Sequence, residues 1–169
     1  DRDVLITSSA SGAITPLPND GGVLVVQTAF SVSGANSGGD IVAGYFNADG
    51  LEDFAFVDFV SNKIHVGLQQ AVGGFAFTSY SVQTGPISIV AGDVEFDGDI
   101  DLAITAVTDK AVQVLFNDGT GAFPNSMSES FDEIPGAVSF GNVPASFNRG
   151  VIVAQTDSDF ARIIPVQPG

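Results

Sequence analysis

The chain has 169 residues, the length of about one domain, and carries five Lys plus Arg against twenty Asp plus Glu, a formal net charge of −15. A surface this acidic repels nucleic acid and anionic lipid headgroups, so we expect neither as a partner. No apolar run is long enough for a spanning helix, so we expect no membrane insertion. Cysteine is absent and His65 is the one histidine, which excludes disulfide frameworks, thiolate metal sites and histidine clusters.

An internal repeat runs through the chain at a spacing of 48 residues. The segment that begins at Asp53 returns at Asp101, and the Val-Ala-Gly of residues 42–44 returns at residues 90–92. A related segment begins at Asp3. A fixed period in the range of roughly 20–50 residues marks an array of repeated units.

Each copy of the repeat predicts four short strands, A to D, separated by turn signals. In the second complete copy, the four runs are residues 88–92, 102–107, 112–116 and 126–131. Run B is continuously apolar, as expected for a strand covered on both faces, and run D is polar, as expected for an outer edge. No segment shows helical periodicity. Four strands in about 48 residues are typical of a β-propeller blade, and a β-sandwich is the alternative.

The repeat therefore predicts an all-β protein made of propeller blades of four antiparallel strands, in about 3.5 repeats. The chain begins with strand B and ends with strand C, fourteen strands in all. Propellers close with about four to eight blades, so we expect further blades from the parent chain or from a partner chain. The predicted units are a partial blade at 1–37, complete blades at 38–86 and 87–135, and a partial blade at 136–169.

An acidic loop between strands A and B of the second complete copy is the strongest candidate site. It places five carboxylates within nine residues, and Gly98 permits a sharp turn. Many hard oxygen ligands suit Ca²⁺. Ile104 stands where an EF-hand has Glu, and strands flank the loop, so it is not an EF-hand; the alternative is a solvated acidic turn. The predicted ligands are Asp93, Glu95, Asp97 and Asp101 through side chains and Asp99 through its backbone carbonyl.

The equivalent loop one repeat earlier predicts a second, weaker calcium site. Asn47, Asp49 and Asp53 keep three of the ligand positions, and the backbone carbonyl of Leu51 adds a fourth oxygen, whereas Tyr45 replaces the first carboxylate. The corresponding loop of the fourth copy, residues 142–150, retains almost no ligand, so we expect no metal there.

These loops resemble those of the FG-GAP or VCBS repeat, known from integrin α-subunit propellers and from secreted bacterial and fungal proteins. The residues that carry the resemblance are Val-Ala-Gly-Asp at 90–93, Asp-Gly at 97–98 and Asp-Leu-Ala at 101–103. The resemblance implies a seven-bladed propeller with structural calcium on one rim and a secreted or cell-surface location. It also implies a binding, adhesion or scaffold module with a protein or glycan ligand at a propeller rim.

Three other functions stay open from the sequence. The chain could be a subunit of an extracellular assembly or filament that completes blades across chains, or a lectin-like propeller that binds carbohydrate. A propeller glycosidase or lyase would need catalytic groups that converge in the central channel or on a rim. The sequence contains no such motif, so we expect that the chain is not an enzyme.

Several single residues carry expectations of their own. Alternation along strand C places His65 on a solvent-facing side. Tyr45 and Tyr80 are candidates for exposed contacts with a partner. Packing between blades is expected for Phe54, Phe56 and Phe59.

Overall fold

The computed structural model describes residues 3–141, 150–155 and 161–165, and over these residues the chain is all-β. Its strands form successive antiparallel sheets in chain order, each strand pairing with its neighbour in sequence. This meander confirms the predicted blades of antiparallel strands. Among the described residues there is no helix with the length and hydrophobicity needed to cross a bilayer.

Blade 1 is incomplete and carries an inserted hairpin. β1 (Val4–Thr7) pairs with β2 (Ile14–Leu17), and the position of strand D is reduced to a single bridge between Ile14 and Phe30. Between β2 and Phe30 in the chain lies a hairpin of β3 (Asn19–Asp20) and β4 (Val23–Leu24). Its two-residue turn is Gly21-Gly22, both with positive φ, because a hairpin turn of this kind needs left-handed backbone. The described residues form fifteen strands rather than the predicted fourteen, because blade 1 gains this two-stranded hairpin and loses its strand D.

Blades 2 and 3 are complete four-stranded sheets with strand order A-B-C-D. Blade 2 contains β5 (Ile41–Gly44), β6 (Asp53–Asp58), β7 (Lys63–Gln69) and β8 (Phe75–Ser81). Blade 3 contains β9 (Pro86–Gly92), β10 (Asp101–Ala106), β11 (Ala111–Phe116) and β12 (Asn125–Ser130). The described part of blade 4 contains β13 (Pro135–Gly141), β14 (Gly150–Gln155) and β15 (Ala161–Pro165).

The hydrophobic core lies between the blades. Every residue of β6 and of β10 is buried, because alternate side chains face the preceding and the following blade. Phe54 and Phe56 pack against Ile14 of blade 1, whereas Ala55 and Val57 face blade 3. The inner strands therefore have no solvated face, and their sequences are nearly continuously apolar instead of alternating between apolar and polar residues.

The outer strands behave differently. β8 and β12 alternate between exposed and half-buried residues, which confirms the polar outer edge predicted for run D. Phe59, predicted between blades, lies in the connection after β6 and is 49% exposed. Tyr80, predicted as an exposed contact, instead packs edge-on against Phe123 of blade 3.

Candidate functional site on the AB rim

In blades 2 and 3, the connections between strands A and B and between strands C and D emerge at the same end of the blade, which we call the AB rim. The opposite rim carries the connections between B and C and from D to the next blade. A bridge between Asn47 and Thr120 joins neighbouring blades at the AB rim. The described connections of the AB rim are residues 18–29 in blade 1, 45–52 and 70–74 in blade 2, and 93–100 and 117–124 in blade 3.

The last residue of the acidic loop, Asp101, holds the loop to strand C. It is fully buried at the start of β10, and its two carboxylate oxygens accept hydrogen bonds from the backbone N–H groups of Val94, at 3.0 Å, and Asn117, at 2.9 Å. Burial raises the pKa of Asp101 to about 6, against the opposing effect of these two hydrogen bonds; repulsion from Asp97 and Glu95 raises it further. The residue therefore closes the loop through two backbone hydrogen bonds.

Asp53 repeats this arrangement one blade earlier. It is buried at the start of β6 and accepts hydrogen bonds from the N–H groups of Phe46, at 2.9 Å, and Gln69, at 2.8 Å. Burial raises its pKa as well. The acceptor and both donors lie at the same sequence spacing in the two blades, so the repeat encodes a buried carboxylate clamp.

The other acidic side chains of the strong loop lie nearer to solvent and bond within the loop. Asp93 accepts hydrogen bonds from the N–H groups of Phe96, at 2.7 Å, and Gly98, at 3.3 Å. Asp97 accepts one from the N–H of Asp99, at 3.0 Å. Glu95 is half-buried. The five predicted ligands thus share one loop, but Asp101 lies inside the protein.

The weaker loop has the same character. Asn47 accepts a hydrogen bond from the N–H of Asp49, at 3.0 Å, and Asp49 accepts one from the N–H of Leu51, at 2.8 Å. Asp53, the last predicted ligand, accepts the hydrogen bonds from the N–H groups of Phe46 and Gln69. The fourth loop, residues 142–150, lies outside the described residues except for Gly150.

The donor chemistry of the strong loop suits Ca²⁺, but its arrangement does not yet form a coordination sphere. Within the part of the chain that the structure describes, no group of three or more Asp, Glu or His side chains is placed to hold a metal ion. Binding calcium would require the carboxylates of Asp93 and Asp97, which now accept local backbone hydrogen bonds, to point towards one common position. Calcium binding stays a prediction.

We expect thermal unfolding to shift upward in excess calcium if the loop binds the ion, because a ligand specific for the folded state stabilises it by about 2.7 kcal/mol at a hundred times its Kd. The measurement compares melting temperatures in calcium and in chelator, for the wild type and for Asp97→Ala. The rise should be lost in the variant. Identical melting of the wild type in both conditions contradicts the prediction.

The pKa of Asp101 gives a second prediction, for the protein in chelator. Because the folded state raises this pKa from 3.8 to about 6, folding favours the protonated form. Its contribution to stability is therefore full below about pH 4 and is lost as the pH rises through about 6. A carboxyl-carbon NMR titration should place the Asp101 midpoint near 6; a midpoint at or below 3.8 is the opposite result.

Asn117 joins blade 3 to blade 2 and was missed by the sequence analysis. Its buried side-chain amide donates hydrogen bonds to the carbonyl oxygens of Phe46, at 2.8 Å, and Ile100, at 3.0 Å. Its side-chain oxygen accepts from the N–H groups of Gly119 and Gly121. The signal in the sequence was the Asn-Asp-Gly turn at 117–119.

Two clefts open on the AB rim, and Tyr45 lines both. The larger, about 960 Å³, lies between blades 1 and 2. The smaller, about 360 Å³, lies between the loops of blades 2 and 3 beside Asp99 and Gly119. The side chain of Tyr45 is 58% exposed, which agrees with its predicted role in exposed contacts. Tyr45 occupies the position in the weaker loop that corresponds to Asp93, the first carboxylate of the strong loop.

Exposed apolar side chains also lie in two connections of the AB rim. The hairpin and its continuation present Val23, Leu24, Val25 and Val26 to solvent, and Val26 is 72% exposed. Phe96 projects from the acidic loop. Contiguous exposed apolar residues on a soluble domain mark interaction surfaces. The sequence analysis missed this hairpin, although its Gly-Gly turn followed by four apolar residues was a usable signal.

The described basic side chains lie at one rim only, whereas acidic side chains lie at both rims. Lys63 and Lys110 lie at the opposite rim, together with the exposed acids Asp40, Asp109 and Asp132. The described AB rim has no Lys or Arg; Arg2 and Arg149 lie outside the described residues. Exposed or half-exposed acids at the AB rim are Asp3, Asp20, Asp49, Glu52, Asp93, Glu95, Asp97, Asp99 and Asp118.

A buried Asp-His pair with a serine lies away from both clefts. His65, predicted to face solvent, is fully buried and stacks on Phe56, because strand C of blade 2 is covered on that face. Its Nδ1 lies 2.8 Å from the Ser79 hydroxyl, and its Nε2 lies 3.4 Å from the Asp58 carboxylate. Burial lowers the pKa of His65.

The Asp58 carboxylate is occupied by structural hydrogen bonds. It accepts the N–H groups of Asn36 and Ser61 and the hydroxyl of Ser37. Burial alone would raise the pKa of Asp58, but these hydrogen bonds outweigh it and hold the pKa well below its usual value. Neither cleft of the AB rim includes Ser79, and through Asp58 the trio is joined to the connection that precedes blade 2.

Comparisons with solved structures bear on the fold. The chain is similar to BBS1N in complex with ARL6DN in a crystal soaked with lead, with a TM-score of 0.63 and 15% identity over 98% of this chain and 49% of that chain. A mercury-soaked crystal of the same complex gives a TM-score of 0.57 and 13% identity, over 98% and 50%. No family model matches the chain, and no curated protein matches it.

These similarities confirm the β-propeller architecture, and the chain spans about half the length of the solved chains. The FG-GAP or VCBS assignment and the number of blades in a complete ring stay predictions. The expected secreted or cell-surface location was wrong by this comparison, because BBS1N belongs to an intracellular ciliary trafficking protein. The resemblance failed here because a propeller fold is shared by proteins of many functions and locations.

Proposed function

We propose that the chain is a propeller segment that binds a protein partner through its AB rim. The observation that carries this proposal is Tyr45, an exposed aromatic residue that lines both clefts. Tyr, Trp and Arg are the residues that most often dominate binding energy at protein interfaces. The solved BBS1N structures, each in complex with ARL6DN, support a protein rather than a glycan as the ligand.

The surroundings of Tyr45 support the same rim. The exposed hairpin side chains from Val23 to Val26 lie in the connection next to the larger cleft, and Phe96 lies beyond the smaller one. An interface needs an apolar centre surrounded by polar groups, and the acidic loops supply the polar surroundings. The clamps of Asp53 and Asp101 fix the loops that carry Tyr45 and Phe96, so these two side chains stand on loops that are held in place before binding.

The test compares three forms of the chain as affinity baits: wild type, Tyr45→Ser and Phe59→Ser. Phe59 is a matched control, because it is also aromatic and about half exposed but lies on the opposite rim. Circular dichroism and melting confirm that each variant folds. Captured proteins are purified, and their Kd is measured for each form.

We expect a partner whose affinity falls about tenfold or more with Tyr45→Ser and stays unchanged with Phe59→Ser, the size of effect seen for an interface aromatic. Equal affinity for wild type and Tyr45→Ser, for every purified partner, contradicts the proposal.

A further inference from the structure

The larger cleft of the AB rim has the composition of a peptide-binding groove. Its walls come from two blades, with Leu5 and Leu17 on one side and Ile41 and Phe75 on the other, and Tyr45 at its edge. A volume of about 960 Å³ lies within the range of ~300–1,000 Å³ that ligand sites occupy. The groove can therefore take a side chain, or a short run of side chains, that is apolar.

The polar groups of this groove are acidic. Asp3 and Glu52 lie in its lining and are exposed, and no Lys or Arg is among the described lining residues. Asp53 also borders the groove, but its carboxylate is buried and holds the N–H groups of Phe46 and Gln69. The exposed carboxylates are therefore those of Asp3 and Glu52, and one oxygen of Asp3 accepts a hydrogen bond from the N–H of Asn19, at 2.8 Å.

The charge of the surrounding surface has the same sign. The described AB rim is acidic without a described Lys or Arg, whereas Lys63 and Lys110 lie at the opposite rim. Charges of one sign around a groove attract ligands of the opposite sign and repel others, which sets both the rate of association and the choice of partner. An acidic or neutral segment would leave this field uncompensated.

We propose that the groove between blades 1 and 2 binds a basic segment of a partner protein, with an apolar side chain in the groove beside Tyr45 and Lys or Arg opposite Asp3 and Glu52. This inference rests on the proposed function and narrows it to one groove and one kind of segment. The acidic loops of blades 2 and 3 extend the attraction along the rim.

The probe is a short fluorescein-labelled peptide of alternating lysine and leucine, measured by fluorescence anisotropy against the whole chain. Two comparison peptides separate the contributions: lysine with serine keeps the charge, and glutamate with leucine keeps the apolar side chains. We expect the lysine–leucine peptide to bind at least about tenfold more tightly than either. Equal binding of the lysine–serine peptide overturns the inference, because charge alone would then account for the attraction.

Three single-residue variants test whether the lysine–leucine peptide binds in the groove between blades 1 and 2. Tyr45→Ser should weaken binding of the lysine–leucine peptide about tenfold, and Glu52→Gln about two- to fivefold, as one exposed charge pair is worth ~0.2–1 kcal/mol. Asp132→Asn, an exposed acid on the opposite rim, is the control and should change nothing. Equal affinity across all three variants overturns the groove as the site.

The two proposals fail in different ways. Absence of lysine–leucine binding, together with a purified partner that still depends on Tyr45, overturns the basic segment and leaves the AB rim as the interface. A partner indifferent to Tyr45→Ser overturns the proposed function itself.

Discussion

Asn117→Asp is expected to destabilise the protein by about 3 kcal/mol or more. The change removes the amide donor that serves the carbonyl oxygens of Phe46 and Ile100 and leaves both buried groups facing a carboxylate oxygen. An unsatisfied buried polar group costs ~1–3 kcal/mol, and a buried unpaired charge costs more. The loss falls on the contact between blades 2 and 3, so these blades should separate at a lower denaturant concentration.

Asn125→Asp is the matched control for this experiment. It makes the same chemical change in the same blade, at an exposed position at the start of β12. Chemical denaturation followed by circular dichroism gives the free energy of unfolding of both variants. If the two variants are equally stable, the Asn117 amide does not hold the blades together.

Asp101→Ala is expected to cost about 3 kcal/mol of unfolding free energy at neutral pH, measured in chelator. The side chain is fully buried and supplies the acceptors for the N–H groups of Val94 and Asn117, which would both be left unpaired. Each unpaired buried N–H costs ~1–3 kcal/mol, and relief of the buried charge offsets part of the loss.

Asp97→Ala separates this structural role from the general acidity of the loop. Asp97 is exposed and accepts one local hydrogen bond, so its removal in chelator should cost about 0.5 kcal/mol or less. Comparable losses for the two variants would show that the clamp has no special role. Because calcium is absent from both measurements, neither outcome depends on metal binding.

The blades were predictable because a period of 48 residues fixes where strands recur. The same spacing predicts Asp101 and Asp53 as calcium ligands, which stays a prediction. The structure adds a role that the spacing did not indicate, because both side chains are buried acceptors of backbone N–H groups. An Asp that begins a continuously apolar strand is consistent with either role. Sequence spacing alone cannot say which oxygen atoms face inward.

The remaining differences arise from contacts between blades. His65 was predicted to face solvent because an alternating strand usually has one solvent-exposed face. The inner strands of a blade are covered on both faces, and His65 stacks on Phe56. The groove beside Tyr45 could not be predicted, because Leu17 and Phe75 meet only when blade 1 packs against blade 2. Phe59 looked like core by composition, but its place in a connection leaves it half exposed.

Photocrosslinking from position 45 tests the central claim, that the AB rim is the binding surface, most directly. A benzophenone amino acid replaces Tyr45 in one form of the chain and Phe59 in another. Both forms are irradiated under identical conditions with the protein mixture from which the partner is captured. The account predicts a discrete adduct of higher mass from position 45 and none from position 59. The same adduct from position 59, or none from position 45 while the partner remains bound, would contradict it.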